Sequence, residues 1–475
     1  MRVSPSYTAS YRVKIKGTDV RISNIVDLIA DTGAAITGMD VADSDRGDMV
    51  LDITCNTRDS AHRREIAQLL TNMEGVSVSS ISDATFLAHI GGKLSVTPKT
   101  PIHNRADLSR VYTPGVARVC TSIHDAPMKS HFLTMRANTV AVVTDGTAVL
   151  GLGDIGPEAA LPVMEGKAVL FKQFGGVDAW PVVLNTKDTE EIISIIKAIA
   201  PGYGGINLED ISAPRCFEIE ARLREELDIP VFHDDQHGTA IVVLAALINA
   251  LKVVDKKIED VRIVVSGVGA AGTAIIKLLL AQGARDIVGY GRNGALAADD
   301  VEGMNPARRE LAEMTNPRLV HGDLKSGLKD ADVFIGVSHG DILQPEDLAQ
   351  MNERAIVFAL ANPTPEVDPI GASEYADIVA TGRSDFPNQI NNVLAFPGLF
   401  RGVLDARVKT ITTELLRVTA LAIASVISED ELSPHYIIPG VFDERVTRAV
   451  KVAVKPAATD LPKHEIPLQE HTEGA

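Results

Sequence analysis

Residues 261–280 read VRIVVSGVGAAGTAIIKLLL. Apart from Arg262, the first five form a short apolar run of the kind a strand buried on both faces carries. Residues 273–280 have the apolar content of a buried helix. Between them, Gly267-Val268-Gly269-Ala270-Ala271-Gly272 fits the pattern G-x-G-x-x-G. In that setting each glycine has a reason. Gly267 permits the tight turn, Gly269 lets the backbone approach a pyrophosphate, and Gly272 lets helix and strand pack closely. The pyrophosphate would sit at the helix N-terminus, where unpaired N–H groups point outward. The whole turn, including Val268, Ala270 and Ala271, predicts a site for a nicotinamide dinucleotide.

Downstream, short apolar runs at 286–289, 332–336, 355–360 and 378–381 continue the alternation of strand and helix. That pattern predicts an α/β fold, a Rossmann-like doubly wound parallel sheet. The acid that usually meets the ribose 2′-hydroxyl is missing after the second strand, where Gly291-Arg292-Asn293 stands. Arg292 suits a 2′-phosphate, so both NAD and NADP stay open. Residues 410–454 read as two or three helices.

Upstream, 139–144 is a β-branched run ending at Asp145-Gly146, a turn signal, and 190–199 and 217–227 read as helices. Residues 229–232 form a short strand ending at His233-Asp234-Asp235, and 239–251 an apolar helix. The first ninety-odd residues differ in texture. Runs at 11–15, 36–41, 49–54 and 76–81 have strand character, and those at 22–29 and 61–73 have helical spacing. The order β-α-β-β-α-β predicts a separate ferredoxin-like α+β unit. The expected domains are 1–95, 96–237 and 238–460, with a loose polar tail at 461–475.

The formal charge of −17 opposes tight binding to nucleic acid, and 4% aromatic residues leave few stacking platforms. Three scattered cysteines, Cys55, Cys120 and Cys216, form no CxxC pair and read as reduced thiols. The opening MRVSPSYTAS has no apolar signal core, and no apolar run long enough to span a bilayer stands out. A cytoplasmic protein is expected.

Two acidic clusters fall at strand ends, Asn207-Leu208-Glu209-Asp210 and His233-Asp234-Asp235-Gln236-His237. Carboxylate oxygens suit a hard cation such as Mg²⁺ or Mn²⁺, and adjacent surface acids are otherwise merely solvated. Lys167 in Gly166-Lys167 precedes an apolar run, so its burial is expected. Desolvation beside a metal would lower its basicity toward that of a general base.

These motifs together resemble the malic enzyme family in its short bacterial form. The resemblance runs from about residue 100 to beyond 410. It takes in Val111-Tyr112-Thr113-Pro114-Gly115, Thr144-Asp145-Gly146, Gly151-Leu152-Gly153-Asp154, Glu165-Gly166-Lys167, both acidic clusters, Ala361-Asn362-Pro363-Thr364-Pro365 and Asn391-Asn392. It implies Tyr112 as general acid and Lys167 as general base. It implies Glu209, Asp210 and Asp235 as metal ligands. Asn362 and Asn392 match the polar residues at substrate and nicotinamide, with Lys167 also touching substrate. The implied reaction is oxidative decarboxylation of (S)-malate to pyruvate and CO₂, with oxaloacetate as a further substrate. Larger members carry an arginine before the Gly-Leu-Gly-Asp segment, where this chain has Thr147-Ala148-Val149-Leu150. Gly291 stands where relatives often have an acid. The N-terminal unit resembles an ACT domain, which implies an amino-acid or metabolite effector. A homodimer or a dimer of dimers is expected. Malolactic chemistry on the same scaffold, and a non-catalytic ACT-type sensor, are the competing readings.

Overall fold

The computed structural model describes residues 3–16, 20–45 and 48–458. The chain divides into two compact units, Met1–Ser95 and Val96–Ala475. The tail expected at 461–475 lies outside the described residues.

The first unit runs β1 (Ser4–Ile15), a helix (Ile22–Asp31), β2 (Ala35–Asp45), β3 (Asp48–Thr57), a helix (Ser60–Thr71) and β4 (Val76–Asp83). The β-α-β-β-α-β order is the one the sequence predicts. Its strands lie in the order β2-β3-β1-β4, with every pair antiparallel. Alternation decides the faces. Ala9, Tyr11, Val13 and Ile15 of β1 and Leu51, Ile53 and Cys55 of β3 turn inward. They pack with Ile25 and Ile29 of the first helix and Ile66 and Leu70 of the second. Arg12 and Asp52 pair at 2.6 Å on the opposite face.

The second unit holds two parallel sheets. In the first, β5 (Thr139–Thr144), β6 (Asp178–Val183), β7 (Gly205–Leu208) and β8 (Val231–His233) lie in the order β6-β5-β7-β8. All six residues of β5 are buried, as a strand covered on both faces requires. In the second sheet, β9 (Arg262–Ser266), β10 (Asp286–Gly291), β11 (Gly294–Ala295), β12 (Val333–Gly336), β13 (Ile356–Ala359) and β14 (Ile378–Thr381) lie in the order β11-β10-β9-β12-β13-β14. Strand order reverses at β9, the switch point where doubly wound sheets bind ligands. β11 is the one antiparallel member, formed by the hairpin Gly291-Arg292-Asn293-Gly294. Two helices, Thr413–Ala424 and Glu444–Ala457, fill the C-terminal region.

One expectation needs correction. The stretch Asp234–Val253, 20 residues with a mean hydropathy of 1.4, is long and apolar enough to cross a membrane. It is 72% buried inside the protein, so core packing accounts for its composition.

Candidate active site

β7 and β8 run parallel with Leu208 beside His233. The residues that follow therefore emerge side by side at one end of the sheet. Glu209-Asp210 leave β7, and Asp234-Asp235 leave β8 into a wide helical turn, Asp234–Gly238. Such turns recur at functional sites. Asp210 has a left-handed backbone (φ 54°), and its N–H donates to Asp235 Oδ2 at 2.8 Å.

Lys167 reaches this edge from the helix Pro157–Gly175, which crosses from β5 to β6. Ala160, Met164, Lys167 and Phe171 share the buried stripe of that helix. An ammonium in such a stripe must be paired. Its Nζ lies 2.6 Å from Asp234 Oδ2 and 3.0 Å from Glu209 Oε1. The same nitrogen sits 4.1 Å from the centroid of the Phe396 ring. Asn392 donates its side-chain amide to Asp234, and Asn207 Nδ2 donates to Glu209 Oε2 at 2.8 Å. Asp234 and Asn207 lie in the two acidic clusters expected from the sequence, though neither was given a role of its own, and Phe396 was not expected at all.

Four carboxyl groups thus face one ammonium in a buried space. Burial is the first cause that raises Glu209 well above the ordinary carboxylate range. Burial, then the Asp235 charge, pushes Asp210 up to about 8. Asp234 rises to about 6, with burial again first and Lys167 opposing it. Burial also works against the charge on Lys167, but the neighbouring carboxylates, Asp234 foremost, outweigh it and hold the ammonium above the ordinary lysine value. Among protein groups alone this reverses the lowered basicity expected from burial.

The cluster fits a divalent cation. One oxygen each from Glu209, Asp210 and Asp235 lies within 4.8 Å of the others. That spacing suits ligands around one ion, whose bonds run about 2.0–2.6 Å. Asp210 Oδ2 is buried with no hydrogen-bond partner, leaving a lone pair to be used. Each raised carboxyl holds its proton more tightly folded than unfolded. Its ionisation therefore erodes stability as pH rises from 3.8 to about 8 for Asp210, and from 3.8 to about 6 for Asp234. A cation that replaces those protons removes the penalty. Mn²⁺ is expected to raise the thermal midpoint more at pH 8 than at pH 6. An equal rise at both would contradict this account of the cluster.

The dinucleotide turn forms at the switch point. Gly267 has φ +102°, and a Cβ there would lie 2.6 Å from the Val337 carbonyl oxygen. A Cβ on Gly272 would fall 1.7 Å from the Gly267 carbonyl oxygen. Around Gly269 the space is open, which leaves room for a ligand against the backbone. The helix begins at Ala270, earlier than expected, because the last residues of the motif are its first turn. It packs against the Asp234–Gly238 turn and so joins the two halves of the site. Opposite, fully buried Glu366 accepts N–H groups from Ser338 at 2.8 Å and Ala361 at 3.0 Å, tying together the loops after β12 and β13. Gly272→Ala is expected to abolish dinucleotide binding and lower stability, because the clash is with backbone and no side chain can yield. Cofactor titration of the folded variant checks this.

Asn392 joins the cluster through Asp234. Asn362 is exposed on the loop after β13, and Arg292 is exposed in the β10–β11 hairpin at the end where a ribose would lie. Tyr112 caps the helix Arg105–Val111 and is 66% exposed. No hydrogen bond joins it to Lys167 or the four carboxyls among the described residues. That helix and the next, Val116–Asp125, bury no residue.

Fold and site define an oxidoreductase architecture, a doubly wound dinucleotide-binding domain beside a buried lysine–carboxylate cluster. Residues 91–224 match the malic enzyme N-terminal domain, and residues 236–459 match the malic enzyme NAD binding domain. The chain belongs to the malic enzyme family. It is 57% identical over 447 residues to an NAD-dependent malic enzyme of Geobacillus stearothermophilus, covering 94% of this chain and 93% of that one. It is 55% identical over 370 residues to a bifunctional malic/malolactic enzyme of Bacillus subtilis, covering 78% and 90%. The crystal structure of an NAD-dependent malic enzyme from Thermotoga maritima superposes with a TM-score of 0.76 at 51% identity, covering 79% of this chain and 99% of that one.

Proposed function

We propose that the protein oxidises (S)-malate to pyruvate and CO₂ while reducing NAD⁺ or NADP⁺. The observation that carries this reading is Lys167, buried between Asp234 and Glu209 beside three carboxylates that fit a cation. Glu209, Asp210 and Asp235 would hold Mg²⁺ or Mn²⁺, and the turn from Gly267 to Gly272 would hold the dinucleotide. Bound there, the cation supplies Lewis-acid stabilisation and offsets the carboxylate field on Lys167, while the nicotinamide supplies a hydride acceptor.

Lys167 takes the proton of the C2 hydroxyl as hydride leaves C2. Asp234 and Glu209 receive the resulting ammonium in place. The product is a β-keto acid, so its C4 carboxylate departs as CO₂ with the electron pair passing to the C2 carbonyl. Oxaloacetate supplied directly enters at this step. Tyr112 protonates C3 of the enolate in this reading, and Asn362 and Asn392 orient substrate and nicotinamide. The exposed helices around Tyr112 would be covered by a second copy in a homodimer.

The bifunctional relative supports a second reading, in which pyruvate is reduced to lactate before release and the dinucleotide is regenerated. The N-terminal unit, with its β-α-β-β-α-β order, is read as an ACT-like module for an amino-acid or metabolite effector. A steady-state assay with NAD⁺ and NADP⁺ side by side, each with Mn²⁺ and Mg²⁺, tests the main reading. Malate-dependent formation of reduced nicotinamide supports it. Lactate without net reduction would favour the second.

A further inference from the structure

Behind the metal-binding edge, the helix Arg215–Glu226 buries one carboxylate, Glu220, among Cys216, Ile219 and Leu223. Glu220 is only 5% exposed. Three donors converge on it, all from the segment that carries Asp234 and Asp235. The His233 N–H lies 3.3 Å from Oε1, and Gln236 Nε2 lies 3.2 Å from Oε2. His237 Nε2 lies 2.8 Å from one oxygen and 2.9 Å from the other. Residues before, within and near the end of the turn are thereby tied to a single point on a rigid helix.

This matters for Asp235 because little else fixes it. Its Oδ2 accepts the Asp210 N–H, and the His233 ring stands 3.7 Å away. Both nitrogens of that ring are buried without a hydrogen-bond partner, so the ring does not hold the carboxylate. The direction of the Asp235 carboxylate therefore follows the backbone from 233 to 237. A buried carboxylate is a poor way to gain stability, since its desolvation offsets most of its attraction to its donors. An apolar side chain would fill the same space. Holding a turn in one geometry is the role that accounts for charge here.

We propose that Glu220 is a positioning residue, anchoring the 233–237 segment so that Asp235 meets Glu209 and Asp210 around one cation. The proposal rests on the metal reading given above. Groups that orient metal ligands from behind typically change affinity about 10–100-fold when replaced. Glu220→Gln keeps the volume but cannot accept all three donors. His237→Phe keeps the ring, which lies 5.7 Å from Phe232, and removes one donor.

The test is a titration of the intact chain with Mn²⁺, reading free ion by electron paramagnetic resonance, with circular dichroism and thermal midpoints on each variant. Glu220→Gln is expected to weaken Mn²⁺ binding about 10–100-fold. Apparent KM for Mn²⁺ should rise in step, with kcat at saturating Mn²⁺ changed only a few-fold. His237→Phe should weaken binding in the same direction, and it decides the matter if Glu220→Gln does not fold. A folded variant with a lower midpoint but wild-type Mn²⁺ affinity would overturn the proposal and leave Glu220 merely structural. Asp235→Asn separates the two levels. If it binds Mn²⁺ like wild type, the metal reading itself fails. If it loses Mn²⁺ while Glu220→Gln does not, only the anchoring role fails.

Discussion

Lys167→Ala is expected to lower kcat by about 10²–10⁴, the usual worth of a positioned acid–base group. The lysine is held by Asp234 at 2.6 Å, by Glu209 at 3.0 Å and by the face of Phe396, so its nitrogen has one position. Alanine removes the proton acceptor and leaves two carboxyls without their ammonium. Their charge still draws a cation, so Mn²⁺ binding should persist or tighten. Loss of turnover with retained Mn²⁺ binding therefore isolates the chemical step from folding and from metal assembly. Near-normal turnover in a folded Lys167→Ala protein would remove Lys167 from the mechanism.

Asp235→Asn carries the other large effect. Asp235 is one of three oxygen donors within 4.8 Å of one another, and it also fixes the Asp210 backbone. An amide keeps the shape, yet it loses the charge that a hard cation requires. The cation's contribution to charge stabilisation is several kcal/mol, which at about 1.4 kcal/mol per tenfold is two or more powers of ten in rate. Both kcat/KM for malate and Mn²⁺ affinity should fall, while dinucleotide binding measured without metal should stay. Retained Mn²⁺ affinity would show that the ion, if bound, sits elsewhere.

The sheets were legible because their strands are short apolar runs between turn signals. Thr139–Thr144 and Arg262–Ser266 announce themselves since a parallel strand must be apolar on both faces. The glycine turn was legible for steric reasons that the structure bears out at Gly267 and Gly272. Asp234 was harder. Two adjacent acids at a strand end look alike in sequence, and only the register of Leu208 against His233 makes Asp234 face Lys167 while Asp235 faces Asp210. Both acidic clusters were expected at strand ends, but no pairing between those two strands was read from the sequence. The burial of Lys167 was legible in sequence, but the number of carboxyls sharing its space, which hold its ammonium up when no cation offsets them, was not. Glu220 lies between two ordinary helix residues, and nothing in its spacing points to the turn it holds. The exposed setting of Tyr112 depends on packing that no periodicity encodes.

In the proposed reaction one site both oxidises malate and releases its C4 carboxylate. Malate labelled at C4 tests it most directly, with Mn²⁺ and either dinucleotide, by following labelled CO₂ and reduced nicotinamide together. Equal amounts of the two, both lost on chelation of the metal, are the predicted result. Reduced nicotinamide without labelled CO₂ would mean an ordinary malate dehydrogenase, and labelled CO₂ with lactate and no net reduction would mean malolactic chemistry. Either outcome would contradict the account.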